Sequence, residues 1–238
     1  MPEPELPLLA LSGVTAAYGK IEVLHGVDLV VNRGAVVALL GPNGAGKSTT
    51  LKVISGQMMP TGGCVHVAGR HVNGVKPEEL ARIGVCTIPE GRGIFRNLTV
   101  RENLRMATYS GAAYDQVEDK AFAQFPRLKE RAGQQAGTLS GGEQQMLSMA
   151  RGLVTEPGVL LLDELSMGLA PLIVGELYEI VDGIAETGVS ILVVEQFART
   201  VLGVADHAVI MQQGRVSSSG SPSDIEQELT TAYLGAIT

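Results

Sequence analysis

The chain has 238 residues, 45% of them hydrophobic, with a net charge of −7 and two cysteines. That length and apolar content suffice for one α/β domain carrying a smaller subdomain, while the acidic balance and the lack of a long basic stripe exclude nucleic acid as an expected partner. The start, Met1-Pro2-Glu3-Pro4-Glu5, is acidic and proline-broken where a signal peptide is basic and then apolar, and no apolar stretch approaches the roughly 18 residues of a membrane span, so the chain is expected to be soluble and intracellular.

Leu8 to Ala16 and Val27 to Val31 read as strands around the turn-rich Tyr18-Gly19-Lys20. Tyr18 has two readings: an aromatic ring ahead of a phosphate-binding loop can stack on a base, but position alone favours a buried core tyrosine. Ala35 to Leu40 is short, apolar and partly β-branched, the pattern of a strand buried on both faces. Directly after it, Gly41-Pro42-Asn43-Gly44-Ala45-Gly46-Lys47-Ser48-Thr49 fits the phosphate-loop pattern at every required position, and Ser48 to Ser55 reads as a helix. The glycines let several N–H groups face one point at a helix N-terminus, where partial positive charge accumulates. Lys47 would then reach the β- and γ-phosphates, and the Ser48 hydroxyl would ligate Mg²⁺.

Pro60-Thr61-Gly62-Gly63 reads as a turn and Cys64 to Ala68 as a strand, with Gly69-Arg70 turning back toward His71-Val72 to make an antiparallel hairpin beside the nucleotide site. Pro77 to Arg82 suits a short helix with Pro at its first turn, and Val85 to Ile88 a buried strand. Glu90, in Pro89-Glu90-Gly91-Arg92-Gly93, sits at that strand's carboxyl end, where doubly wound sheets bind ligands. Spacing alone slightly favours a solvated loop carboxylate. Cys64 and Cys86 are read as free buried thiols of a reducing compartment, and His25, His66, His71 and His207 lack metal-ligand spacing.

Thr99-Val100-Arg101-Glu102 matches a capping box that opens a helix through Thr108, and polar helical sequence continues from Asp115 to Arg131. Leu139-Ser140-Gly141-Gly142-Glu143-Gln144-Gln145 follows, with Ser140 suited to an N-cap and two glycines leaving N–H groups open to an anion. Alone, Ser-Gly-Gly is also ordinary loop sequence. Val159-Leu160-Leu161-Leu162-Asp163-Glu164 is an apolar strand ending in two carboxylates that alternation points in different directions. Asp163 is placed to hold Mg²⁺ and Glu164 to orient or deprotonate an attacking water. Ser166 to Pro171 turns into a helix running to about Glu186, and Val189 to Val194 is a strand ending in Glu195-Gln196. Met211 to Val216 resembles a hairpin, and a last helix spans about Pro222 to Leu234. There is no internal repeat.

Together these motifs, in this order, resemble the ATP-binding subunits of ABC transporters over nearly the whole chain. The resemblance makes Tyr18 the adenine-stacking aromatic, Gly41 to Thr49 the Walker A loop, Leu139, Ser140, Gly141, Gly142 and Glu143 the signature, and Asp163 and Glu164 the end of Walker B. It implies an α/β P-loop ABC ATPase with a mixed-sheet core, an antiparallel β subdomain and a helical subdomain. Residues 1–238 then form one domain: about 8–95 and 156–220 as the core with the β subdomain, about 96–155 as the helical subdomain, and about 221–238 as a C-terminal helix. It implies ATP and Mg²⁺, a second ATPase subunit whose ATP the signature touches, two transmembrane permease subunits, indirectly a solute-binding protein, and a peripheral location on the inner face of the membrane.

Three positions depart from the general family pattern. Glu90 stands where a glutamine usually contacts Mg²⁺ and water, Gln196 where a histidine usually contacts the γ-phosphate, and Ala170 where an aspartate commonly ends the loop after Walker B. Glu90 and Gln196 join Glu164 as expected catalytic residues, with Ser48, Asp163 and Glu90 around the metal. Glu90-Gly91-Arg92, Ser166 to Pro171 and Val194-Glu195-Gln196 resemble the ATPase subunits of branched-chain amino acid importers. Urea or short-amide importer ATPases, a non-transport ABC ATPase and a nucleotide-gated interaction module are the alternatives.

Overall fold

The computed structural model describes residues 6–91, 93–107 and 114–235. Strands β1 (Leu9–Tyr18) and β2 (Ile21–Val31) pair antiparallel, and with β4 (Gly62–Val67) and β5 (Arg70–His71) they form a four-stranded sheet in the order β2-β1-β4-β5. The first two strands extend beyond the apolar pattern because the pairs Ala17↔Glu22 and Tyr18↔Ile21 carry the ladder up to the turn. The β4–β5 hairpin is not beside the nucleotide loop, as the sequence suggests. β4 runs antiparallel to β1 with Leu9 opposite Val67, so the Ala68-Gly69 turn lies at the end of β1 away from Tyr18, and β5 is the edge furthest from β2.

The second sheet has six strands in the order β10-β9-β3-β8-β7-β6, where β3 is Val36–Leu40, β6 Val85–Ile88, β7 Val159–Asp163, β8 Ser190–Glu195, β9 His207–Gln212 and β10 Arg215–Gly220. Only β10 runs antiparallel to its neighbour. Each central strand is apolar on both faces because both are covered. Val37, Leu39, Leu161 and Leu192 join Leu9 and Leu11 in a core between the sheets, which α1 (Lys47–Ile54) and α2 (Pro77–Arg82) complete with Leu51, Ile54 and Leu80. Ala38, Leu40, Leu160 and Val193 alternate to the other face, against helices α3 (Val100–Arg105) to α9 (Pro222–Gly235).

The amino ends of the parallel strands are stitched together by hydrogen bonds outside the regular ladder. Val159 N–H donates to Gly84 O at 3.0 Å, Ser190 N–H to Gly158 O at 3.0 Å and Ile191 N–H to Ala35 O at 2.8 Å. Asp206 N–H donates to Val36 O at 2.8 Å, and its Oδ2 accepts from Val36 N–H at 2.8 Å. A Cβ on Gly84 would lie 2.9 Å from Gly158 N, so the two backbones meet where no side chain fits.

Between β6 and β7 the chain is helical. Thr99 caps α3 through a reciprocal pair: Thr99 Oγ1 accepts from Glu102 N–H at 3.2 Å and Glu102 Oε2 accepts from Thr99 N–H at 2.8 Å. The expected helix end at Thr108 lies outside the described residues, as does Arg92. The polar helix read from Asp115 to Arg131 is two helices, α4 (Tyr114–Gln124) and α5 (Pro126–Glu130). Pro126 forces the break: it lacks an N–H and disfavours a helical predecessor, and Phe125 accordingly sits at φ −127°, ψ 73°. The helix α6 (Gly141–Leu153), then α7 (Pro171–Glu186) and the short α8 (Ala198–Val201) complete this layer.

Candidate functional site

The loop from Gly41 to Gly46 leaves the carboxyl end of β3 and turns straight into α1, whose N-cap Gly46 supplies no side-chain hydrogen bond. The first N–H groups of α1 are therefore uncapped by a side chain, as an anion site at a helix N-terminus requires. Lys47 is 4% exposed, and its Nζ donates back to Gly41 O at 2.7 Å and Pro42 O at 3.2 Å. The turn of the β9–β10 hairpin supports the loop from behind: Gly214 N–H donates to Ala45 O at 2.8 Å and His25 N–H donates to Gly214 O at 2.9 Å. Tyr18 is 48% exposed, so it is not a core tyrosine. Lys52 Nζ donates to its hydroxyl at 3.3 Å from α1, and the Thr49 hydroxyl and the Lys52 ammonium hold the phenol below its ordinary pKa.

Three strand ends bring carboxylates to this loop. Asp163 ends β7, Glu195 ends β8, and Glu90 follows β6. Burial, then the charges of Glu164 and Glu90, push the Asp163 carboxyl up to about 6 against the pull of Lys47, so these side chains share one electrostatic site. Asp163 Oδ1 is buried and has no hydrogen-bond partner among the described residues. Glu164 stands just beyond β7 with φ +48°, a left-handed conformation uncommon outside glycine, and its N–H donates to Val194 O at 2.9 Å. Glu90, Glu164, Gln144, Gln145 and Arg96 line a cavity of about 280 Å³. Gln196 is exposed immediately beyond β8.

The segment from Leu139 to Glu143 opens α6 on the helical side. Ser140 Oγ accepts from Glu143 N–H at 3.3 Å while Glu143 Oε2 accepts from Ser140 N–H at 2.8 Å. Although burial pushes the Glu143 carboxyl up, these bonds and Arg131 hold it below the usual range. A Cβ on Gly142 would fall 2.4 Å from Ile173 Cγ2 of α7, so that glycine permits close packing. Gln144 Nε2 donates to Ala136 O at 3.1 Å and Leu139 O at 3.1 Å, fixing the approach to the helix.

Residues 24–166, more than half of the chain, match the family model described as ABC transporter. This chain belongs to the ABC transporter family. The cassette is 41% identical over 96% of its length, and 100% of the relative's, to the high-affinity branched-chain amino acid transport ATP-binding protein BraG of Pseudomonas aeruginosa. It is 35% identical, over 89% of the chain and 91% of the relative, to a probable branched-chain amino acid transport ATP-binding protein LivF of Archaeoglobus fulgidus. Among solved structures, the ADP conformation of an ATP-binding cassette of an ABC transporter superposes with a TM-score of 0.87 at 25% identity, covering 97% of this chain and 99% of that one. This ABC cassette is an ATPase that binds ATP.

The donor set also suits a divalent cation held jointly with substrate phosphates. Mg²⁺ characteristically takes one or two protein carboxylates and keeps water and phosphate oxygens for the rest. Among the described residues no group of three or more His, Cys, Asp or Glu side chains is arranged to hold a metal by itself, whereas the orphaned Asp163 oxygen lacks a partner of this kind. Sequence reasoning missed the interior polar groups of the ABC cassette. Glu195, read as a polar strand end within the Val194-Glu195-Gln196 stretch and given no role, is 2% exposed, and its partners Ser166 and Tyr178 lie 29 and 17 residues away, beyond any local pattern.

Proposed function

We propose that this cassette powers import of branched-chain amino acids, hydrolysing ATP held by its own phosphate loop and closed over by the signature of a second, different ATPase subunit. The observation that carries the reading is the convergence of Lys47, at the start of α1, with Asp163, Glu164 and Glu90, at the carboxyl ends of β7 and β6, in a chain 41% identical to a branched-chain amino acid transport protein over 96% of its length.

Lys47 exchanges its bonds to Gly41 O and Pro42 O for phosphate oxygens, and the open N–H groups of α1 take the remaining negative charge. Tyr18 offers its half-exposed ring to the adenine. Ser48, Asp163 and Glu90 would hold Mg²⁺, which when bound neutralises charge on the β- and γ-phosphates. Glu164 orients the attacking water and accepts its proton, and Gln196 donates its amide to the γ-phosphate. Ser140, Gly141 and Gly142 present the start of α6 to the partner's γ-phosphate.

Residues from about 96 to 155 serve as the helical subdomain, with about 8–95 and 156–220 as the core with the β subdomain, followed by the terminal helix described over Pro222–Gly235. The stretch from Glu90 to Thr99 faces two permease subunits, which hold the cassette on the inner face of the membrane and receive solute from a binding protein. Among the described residues no helix is long and apolar enough to cross a membrane, in keeping with attachment through such partners.

The test is uptake of labelled leucine and labelled urea in cells whose only copy carries Lys47→Ala at wild-type expression. Loss of leucine uptake alone supports the proposal. Loss of urea uptake alone assigns a short-amide solute, and uptake of both unchanged refutes branched-chain amino acid import. Glu164→Gln is expected to bind ATP normally and to lose turnover, and unchanged turnover would remove Glu164 from its role.

A further inference from the structure

Glu195 is the one buried acidic side chain among the described residues, at 2% exposure, and the catalytic steps above do not use it. Three donors converge on it. Ser166 N–H donates to Oε1 at 2.8 Å, Ser166 Oγ to Oε2 at 2.8 Å, and Tyr178 Oη to Oε1 at 2.8 Å. Both oxygens accept, so the group is satisfied as an acceptor only, and two of its bonds involve one residue held through backbone and side chain together. That residue lies two positions after Glu164. Tyr178, itself 2% exposed, is on α7, the helix that the same loop leads into.

We propose that Glu195 is a positioning residue that clamps the loop after β7, holding Glu164 in its left-handed conformation and aiming Gln196 from the next position in the chain. This rests on the reading of Glu164 as the group that activates water. The loop has two anchors on β8: Glu164 N–H on Val194 O at 2.9 Å, and Ser166 on the Glu195 carboxylate. The first is a single bond about which the peptide can still rotate. The second fixes Ser166 in both N–H and hydroxyl directions, leaving the two intervening peptide units little freedom. Because Glu164 has φ +48°, where side chains other than glycine rarely rest, release of the clamp lets it relax toward ordinary backbone geometry. A shift near 1 Å at a reacting group lowers rate far more than it lowers binding.

The experiment compares ATP hydrolysis by the assembled transporter, and ATP binding by the full chain, for Glu195→Ala, Glu195→Gln and Glu164→Gln. Glu195→Ala is expected to lower kcat by about ten- to a hundred-fold, with KM for ATP and ATP affinity within about two-fold of wild type. Glu195→Gln should stay within about three-fold in kcat, because its carbonyl still accepts from Ser166 N–H and Tyr178 while the Ser166 hydroxyl reverses to accept from the amide. A merely structural role would instead lower the folded fraction and leave the kcat per folded molecule unchanged. If Glu195→Ala does not fold, Ser166→Ala combined with Tyr178→Phe strips two of three donors at nearly constant volume, and at least a five-fold fall in kcat at unchanged KM is then required. Wild-type kcat in the variant that folds, with Glu164→Gln inactive, overturns the proposal alone. An active Glu164→Gln overturns the reading beneath it.

Discussion

Asn103 is fully buried on α3, and its side chain makes four hydrogen bonds to the backbone of the loop before it. Oδ1 accepts from Phe95 N–H at 2.8 Å, while Nδ2 donates to Phe95 O at 2.9 Å, Leu98 O at 3.3 Å and Thr99 O at 3.0 Å. Replacing it with Ala does not orphan all four groups. Phe95 O keeps Leu98 N–H, Leu98 O keeps Ala136 N–H, and Thr99 O keeps Asn103 N–H, so only Phe95 N–H loses its partner. One stranded donor costs about 1–3 kcal/mol, and the small void adds about 1, giving roughly 2–4 kcal/mol in all. For a chain of this size that lowers the melting temperature by roughly 4–16 °C, read by differential scanning calorimetry of the full chain. Asn103→Asp keeps the bond to Phe95 N–H but sets a carboxylate oxygen against three carbonyl oxygens, so it should melt at or below the Ala variant. An Ala variant within 2 °C of wild type, or an Asp variant more stable than Ala, would refute the reasoning.

Gln196→His should keep ATP hydrolysis within about three-fold of wild type, since either side chain donates to the γ-phosphate; complete loss with intact folding would show a site tuned to an amide. Gly214→Ala places a Cβ 2.0 Å from Val23 O at φ +74°, and that backbone cannot yield cheaply. The variant should lose about 3 kcal/mol or more and weaken ATP binding by displacing the support behind Ala45, whereas unchanged melting and affinity in calorimetry would contradict the contact. Burial pushes the Cys86 thiol up to about 11, with Arg151 pulling the other way. At pH 8 only about one thiol in a thousand is then ionised, so iodoacetamide labelling of Cys86, followed by peptide mass spectrometry, should rise about ten-fold per pH unit up to pH 10. A plateau below pH 9 would exclude that burial effect.

The parallel core was legible in the sequence because Val36–Leu40 and the first four residues of Val159–Asp163 carry unbroken apolar runs, the pattern of a strand covered on both faces. The capping box at Thr99 and the N-cap at Ser140 were legible because each involves groups within three residues along the chain, although the reciprocal bond from Ser140 N–H to Glu143 was not read. Legibility fell with distance in sequence. The direction of β4 against β1 is a long-range pairing, and its consequence for the hairpin's location has no local signature. Glu195, Asn103 and Gln144 look like solvated polar residues until the fold surrounds them with donors and carbonyls from other segments. The division at Pro126 could have been read directly, because a proline after an apolar residue within a polar helix marks a boundary.

The hydrogen-bond stitching at the amino ends of β3, β7 and β8 binds that margin of the sheet into one edge. Like the bound spine of a book, the stitched margin opposes sliding of the strands past one another. On the helical side, Gly137 N–H donates to Arg96 O at 2.9 Å and Ala136 N–H to Leu98 O at 2.8 Å, joining the stretch after β6 to the approach to α6.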